Sequence, residues 1–172
     1  MSLLVDKTCV ETCYLTPPEI LEPIREYFGG QIDLDPATEP NNPTSANRWL
    51  MADGLVSEWT GRVFVNPPYG RELSRWCEKI GHEARARAGL RAVQIVALLP
   101  GQRFETKYVQ EHLLIPELTA ICFIRRRVKF LRKDGTRAPN NPYGSMLWIY
   151  NGCLADARHF LGPLGAVVET GV

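Results

Sequence analysis

An α/β fold, with a mainly parallel sheet and an antiparallel end, is what these 172 residues predict. Three observations carry that prediction. Short apolar runs alternate along the chain with segments of helical spacing, as in strand–helix–strand units. The run 92–99 is apolar without alternation, as expected of a strand buried on both faces. The last two apolar runs, 118–124 and 145–150, are joined by a loop and no helix, which suits antiparallel neighbours. About five strands are expected for a chain of this size.

The elements follow in order. Residues 17–28 read as a helix: Thr16 is placed as N-cap, prolines hold the first helical positions, and Glu19 completes a capping box. Gly29-Gly30 ends it. Residues 31–35 form a short strand with Asp33 and Asp35 towards its end, and 36–45, rich in Pro, Asn and Thr, is loop. Asp53-Gly54-Leu55 precedes a short turn to Trp59. Residues 62–66 are a strand. Residues 72–88 are an amphipathic helix with Leu73, Trp76, Cys77, Ile80 and Ala84 on one face. A helix at 104–114, a mobile loop at 132–144 and a short helix at 156–161 complete the expectation. No repeat or low-complexity linker divides the chain, so 1–172 is one domain with its core at about 14–150.

The most informative segment is Asn66-Pro67-Pro68-Tyr69, at the carboxyl end of a strand and just before a helix. Ligands bind there in open α/β sheets. The residue types fit one chemistry. An exocyclic aryl amine is a poor nucleophile because its lone pair is delocalised into the ring. Two acceptors on its NH2 group, the Asn66 side-chain oxygen and the Pro67 main-chain oxygen, favour the pyramidal, nucleophilic nitrogen. Pro67 and Pro68 stiffen the backbone so that the acceptors keep a fixed separation. Tyr69 offers a flat face to a planar base. This is positioning and preorganised electrostatics, without covalent catalysis. The competing reading is an ordinary Asn-Pro-Pro turn.

Composition bounds the function. At 45% hydrophobic and 23% charged residues the chain is globular, and no apolar run approaches the length of a membrane span. Residues 1–7 carry no secretory signal pattern. The five cysteines (Cys9, Cys13, Cys77, Cys122, Cys153) are odd in number and scattered, which fits reduced thiols in a cytoplasm. Cys9 and Cys13 have no second Cys/His pair at zinc spacing, so no metal is expected. Between Arg125 and Arg137, seven basic residues face Asp134 alone, a charge of +6 in 13 residues on a chain of net +1. Such a block, with Phe130 inside it, is a candidate phosphate-binding face; the alternative is a solvated hairpin.

Taken in order, Thr16-Pro17-Pro18, Asp35-Pro36-Ala37, Asp53-Gly54-Leu55 and Asn66-Pro67-Pro68-Tyr69 resemble the amino-methyltransferases that use S-adenosylmethionine (SAM). The chain is most similar to the phage-type DNA N6-adenine methyltransferase (Dam) family, over roughly Tyr14 to Tyr150. The resemblance implies a small Rossmann-like SAM-dependent methyltransferase fold. Only 30 residues separate Asp35 from Asn66, so the sheet is expected to be trimmed. It also implies SAM as cofactor. Thr16 would meet its carboxylate, Asp35-Pro36-Ala37 would cradle its methionine part, and either Asp35 or Asp33 would accept from its ammonium group. Asp53 would accept from its adenine amino group, with Leu55 beside the ring. Glycines usual after the first strand are replaced by Thr38, Glu39 and Pro40, and Asn47 stands in for the missing ribose acid.

By the same resemblance the partner is double-stranded DNA, with the target adenine flipped out of the helix. Asn66 and Pro67 would hold N6, Tyr69 would stack on one face of the base, and Phe130 on the other. Arg125, Arg127, Lys129 and Arg132 would meet phosphates. Without a recognition domain, a homodimer is one way to cover a site. A phage or prophage origin and a bacterial cytoplasm are implied. Two alternatives keep or drop the chemistry: a methyltransferase acting on an RNA amine or a protein glutamine amide, or a non-catalytic DNA-binding protein with a degenerate methyltransferase fold.

Overall fold

The computed structural model describes residues 14–86, 93–139 and 143–171. Cys9, Cys13, the end of the helix expected to reach residue 88, Ala92, and residues 140–142 of the expected loop lie outside them. The chain builds one mixed sheet. In chain order the elements are α1 (Pro18–Tyr27), β1 (Leu34–Asp35), β2 (Arg48–Trp49), β3 (Arg62–Val65), α2 (Leu73–Arg85), β4 (Gln94–Pro100), a π-helical turn (Val109–Leu113), β5 (Leu118–Ile124), β6 (Ser145–Tyr150), α3 (Leu154–Asp156) running into a second π-helical turn (Ala157–Leu161), and β7 (Gly165–Glu169). The sheet order is β2-β1-β3-β4-β6-β5-β7. β2, β1, β3 and β4 are parallel; β6 is antiparallel to both β4 and β5, and β7 to β5.

Side-chain alternation divides the core into two layers. Val63, Val65, Ile95, Ala97, Leu99, Met146, Trp148 and Tyr150 point to one face, where Trp76, Cys77, Ile80 and Ala84 of α2 cover them. Phe64, Val96, Leu98, Leu147 and Ile149 point to the other, against Ile20, Leu21 and Ile24 of α1 and Ala157 and Leu161 of the second π turn. The central strands thus read as continuous apolar runs because helices bury both faces.

Four expectations change. Among the described residues the sheet has seven strands, against the five expected: β2 and β7 were not foreseen. The helix expected at 104–114 is shorter and ends in a π turn, with the Leu114 amide donating to the Val109 carbonyl at 3.1 Å. Thr16 does not cap α1. The N-cap is Pro17, without a side-chain cap bond, and Glu19 pairs with Arg137 at 3.4 Å in place of a capping box. Residues 130–138 are a β-hairpin, closed by the Leu131–Arg137 bridge and turning at Gly135 with φ +80°. The helix stop holds: Gly29 and Gly30 take φ +73° and +100°, open to glycine.

Candidate active site

The chain leaves β1 for β2 on one side and returns as β3 on the other, so strand order reverses between β1 and β3. The crevice at the carboxyl ends of these two strands is the switch point where open α/β sheets bind ligands. Asp35 ends β1, and Asn66 directly follows Val65 at the end of β3. The two segments singled out in the sequence therefore face each other across it.

Asn66 is half-buried, and its side-chain nitrogen donates to the Tyr14 carbonyl (3.2 Å) and the Thr16 hydroxyl (3.1 Å). A carbonyl can only accept, so the amide nitrogen must lie on that side and the Asn66 oxygen on the other. Pro67 is buried. The Tyr69 hydroxyl donates to the Leu98 carbonyl of β4 at 3.1 Å, and burial pushes its pKa far above the usual phenol range. Anchored at the hydroxyl, the ring stays half-buried beside Asn66.

Phe130 differs from expectation. It is 5% exposed and meets Tyr69 edge-on, with centroids 6.1 Å apart and planes at 89°. The two rings are not parallel walls of an open slot. The cause is alternation along the segment: Val128 and Phe130 turn inward while Arg127 and Lys129 are exposed. Tyr14, which the sequence did not single out, packs its ring on Phe130 at 6.4 Å and 30°.

On the cofactor side the two acids separate. Asp33 lies before β1, towards the amino end of the strands. Arg62, the first residue of β3, grips it with Nε to Oδ2 at 2.8 Å and Nη2 to Oδ1 at 2.9 Å, which holds its carboxyl below the usual range. Asn47 donates to Asp33 at 3.4 Å and precedes β2. Both therefore sit towards the amino ends of β1 and β2, while Asp35 lies at the carboxyl end. Asp35 is 3% exposed and takes hydrogen bonds from neutral donors: the Ala37 amide (3.0 Å) and the Thr44 hydroxyl (2.7 Å). Burial raises its pKa to about 6.

The loop after β2 lies directly on the loop after β1. A Cβ on Gly54 would come within 1.9 Å of the Pro36 carbonyl oxygen, so only glycine permits the contact. The Trp59 indole donates to the Gly54 carbonyl at 2.9 Å and locks the loop. Asp53 is exposed and its carbonyl accepts from Val56 (3.1 Å) and Ser57 (2.8 Å), so it also forms the Asp-Gly turn. Leu55 and Ala37 pack on the first core layer. Because β2 is a strand, Asp53 is the acid following a second parallel strand. The sequence hid this place, since two residues carry no periodicity.

β5 runs in the same direction as β4, so Arg125, Arg126 and Arg127 emerge at the crevice edge of the sheet. With Lys129 and Arg132 they are exposed. Lys133 pairs with Glu39 of the loop after β1 at 2.8 Å. The hairpin is stitched to the segment carrying Thr16: the Leu15 amide donates to the Leu131 carbonyl at 2.8 Å, and the Leu131 amide to the Leu15 carbonyl at 2.9 Å. Among the described residues, no group of three or more His, Cys, Asp or Glu could hold a metal ion, and no helix is long and apolar enough to cross a membrane.

No curated protein matches the chain. A family model described as DNA N-6-adenine-methyltransferase (Dam) matches residues 6–164, a span that takes in both sides of the crevice and the basic hairpin. The match covers nearly the whole chain, which therefore belongs to the Dam family of DNA N-6-adenine-methyltransferases.

Proposed function

We propose that the chain methylates the exocyclic N6 of adenine in double-stranded DNA, with SAM as methyl donor. One observation carries the reading. Asn66, at the carboxyl end of β3, is held by its own nitrogen so that its oxygen is turned away from Tyr14 and Thr16. An acceptor fixed in that way suits an amino group.

The residues of the crevice fit SAM by the chemistry of their donors and acceptors. Asp35 is a buried carboxylate with neutral partners, which an ammonium group would complement. Asp53 is exposed one loop further, where a carboxylate accepts from ribose hydroxyls or from an adenine amino group. Pro36, Ala37 and Leu55 would supply the apolar side. Bound there, SAM supplies an electrophilic methyl on a sulfonium.

The rest belongs to the chain. The Asn66 oxygen and the Pro67 main-chain oxygen accept from N6 and keep its lone pair out of the ring. Tyr69, anchored on Leu98, gives the flipped base a face to stack on. Phe130 serves as the second wall only after the hairpin shifts, since it now stands edge-on to Tyr69. Neither acceptor is a strong base, so the excess proton of the methylated amine leaves to solvent. Exposed Arg125, Arg127, Lys129 and Arg132 hold the phosphates at the crevice rim.

The test is mass spectrometry of nucleosides digested from unmethylated duplex DNA after incubation with the protein and SAM. N6-methyladenine is the expected product. Its absence, with label instead in RNA or in protein glutamine, moves the same chemistry to another amine. Its absence together with no SAM binding leaves a DNA-binding relic.

A further inference from the structure

An asparagine amide has two orientations of nearly equal shape, related by a half-turn. In one, an oxygen faces the crevice and accepts from an incoming NH2 group. In the other, two N–H donors face two N–H donors, and the site repels its substrate. The catalytic value of Asn66 therefore depends on what selects the orientation. The Tyr14 carbonyl does so, because it can only accept, and the Thr16 hydroxyl, which could pair with either end of the amide, holds the nitrogen beside it. The amide nitrogen donates to the Tyr14 carbonyl at 3.2 Å and to the Thr16 hydroxyl at 3.1 Å.

Both groups are held in place. Thr16 is 5% exposed, so its hydroxyl is enclosed in the protein. The peptide between them is fixed by the paired Leu15 and Leu131 backbones, at 2.8 and 2.9 Å. The expected capping bond that would have claimed the Thr16 hydroxyl is not formed, because Pro17 is the N-cap. We infer that Thr16 is a positioning residue for methyl transfer: its hydroxyl holds the Asn66 amide nitrogen against the Tyr14 carbonyl, which sets the orientation, so that the oxygen meets the target amine.

The inference rests on the proposed adenine methylation but is tested apart from it. In the free full-length protein, the side-chain NH2 signals of Asn66 in a nitrogen-15 spectrum are expected to be protected from exchange. Thr16→Val, which keeps shape and loses the hydroxyl, is expected to lower that protection, and Thr16→Ser to restore it. Unprotected wild-type signals, or signals that ignore Thr16→Val, overturn the inference even if DNA is methylated. With unmethylated duplex DNA, Thr16→Val is expected to slow single-turnover methylation about tenfold. SAM affinity is expected to stay within about twofold, and Thr16→Ser to recover the rate. In an Asn66→Ala background Thr16→Val is expected to do nothing more, since Thr16 acts through Asn66. A weakened SAM affinity with an unchanged rate would make Thr16 a cofactor contact instead.

Asn66→Asp supplies a check that does not depend on how Thr16→Val folds. It keeps an acceptor oxygen but cannot donate to the Tyr14 carbonyl, so the rate is expected to fall at least tenfold. A wild-type rate in Asn66→Asp overturns the inference. A wild-type protein that methylates no adenine defeats the functional reading, while the exchange measurement still decides the amide.

Discussion

Two side chains of the proposed site give sharp tests at the scale of single residues. Asn66→Ala removes the acceptor proposed to meet the amine, and the rate of N6 methylation is expected to fall on the order of 10²-fold or more, with SAM binding intact. Near wild-type turnover would remove Asn66 from the mechanism. Asp35 makes a prediction with a sign. Its carboxyl titrates near 3.8 when unfolded and at about 6 in the fold, because burial outweighs the bonds from Thr44, Ala37 and Thr38. The folded state therefore binds this proton more tightly. The stability it contributes is fully present below the unfolded value and is lost as pH rises through about 6. The loss amounts to at most about 3 kcal/mol between pH 4 and pH 7. Urea titrations of wild type and Asp35→Asn at both pH values check this. Asp35→Asn is expected to be relatively more stable at pH 7, and parallel pH profiles for the two proteins would show that Asp35 carries no such shift.

At the scale of elements, the basic hairpin is the proposed DNA face. Of the seven basic residues from Arg125 to Arg137, Lys133 pairs with Glu39 and Arg137 with Glu19. Arg125, Arg126, Arg127, Lys129 and Arg132 are exposed at the crevice edge, and alternation keeps them from all reaching one backbone. Log affinity for duplex DNA is therefore expected to fall against log salt with a slope of roughly −3 to −5, measured by fluorescence anisotropy. A flat response would move the DNA face elsewhere. The long elements were legible in the sequence because two-sided burial writes continuous apolar runs for β4 and helical spacing for α2. β2 was not, since Arg48 and Trp49 are both exposed and too few to show a period. With β2 hidden, Asp53 could not be placed after a second strand. The stretch from residue 132 was read as a mobile loop, with a solvated hairpin only as the alternative for the basic block, for a related reason: its order comes from pairing with Leu15, a partner over a hundred residues away. Thr16 was read through local capping rules, and a long-range bond to Asn66 took its hydroxyl instead.

On the scale of the whole molecule, the crevice is a junction of segments distant in sequence. The segment before α1 meets the end of β3 through Thr16 and Asn66, the loop after β2 rests on the loop after β1 through Gly54 and Pro36, and the hairpin reaches that loop through Lys133 and Glu39. A molecule held by Asp35 and Asp53 would bridge two of these loops and favour the folded chain by mass action. At a SAM concentration of a hundred times Kd that stabilisation is about 2.7 kcal/mol. For a chain of this length it corresponds to a rise in Tm on the order of 5–10 °C. Asn66→Ala should keep that rise, because its role is towards the amine. Asp35→Asn should lose most of it even though the variant folds, because an amide answers an ammonium group poorly. The two variants thus divide the crevice into a cofactor half and a target half. A rise that survives Asp35→Asn and vanishes with Asn66→Ala would reverse the two halves, and would turn the SAM carboxylate and ammonium towards Thr16 and Asn66.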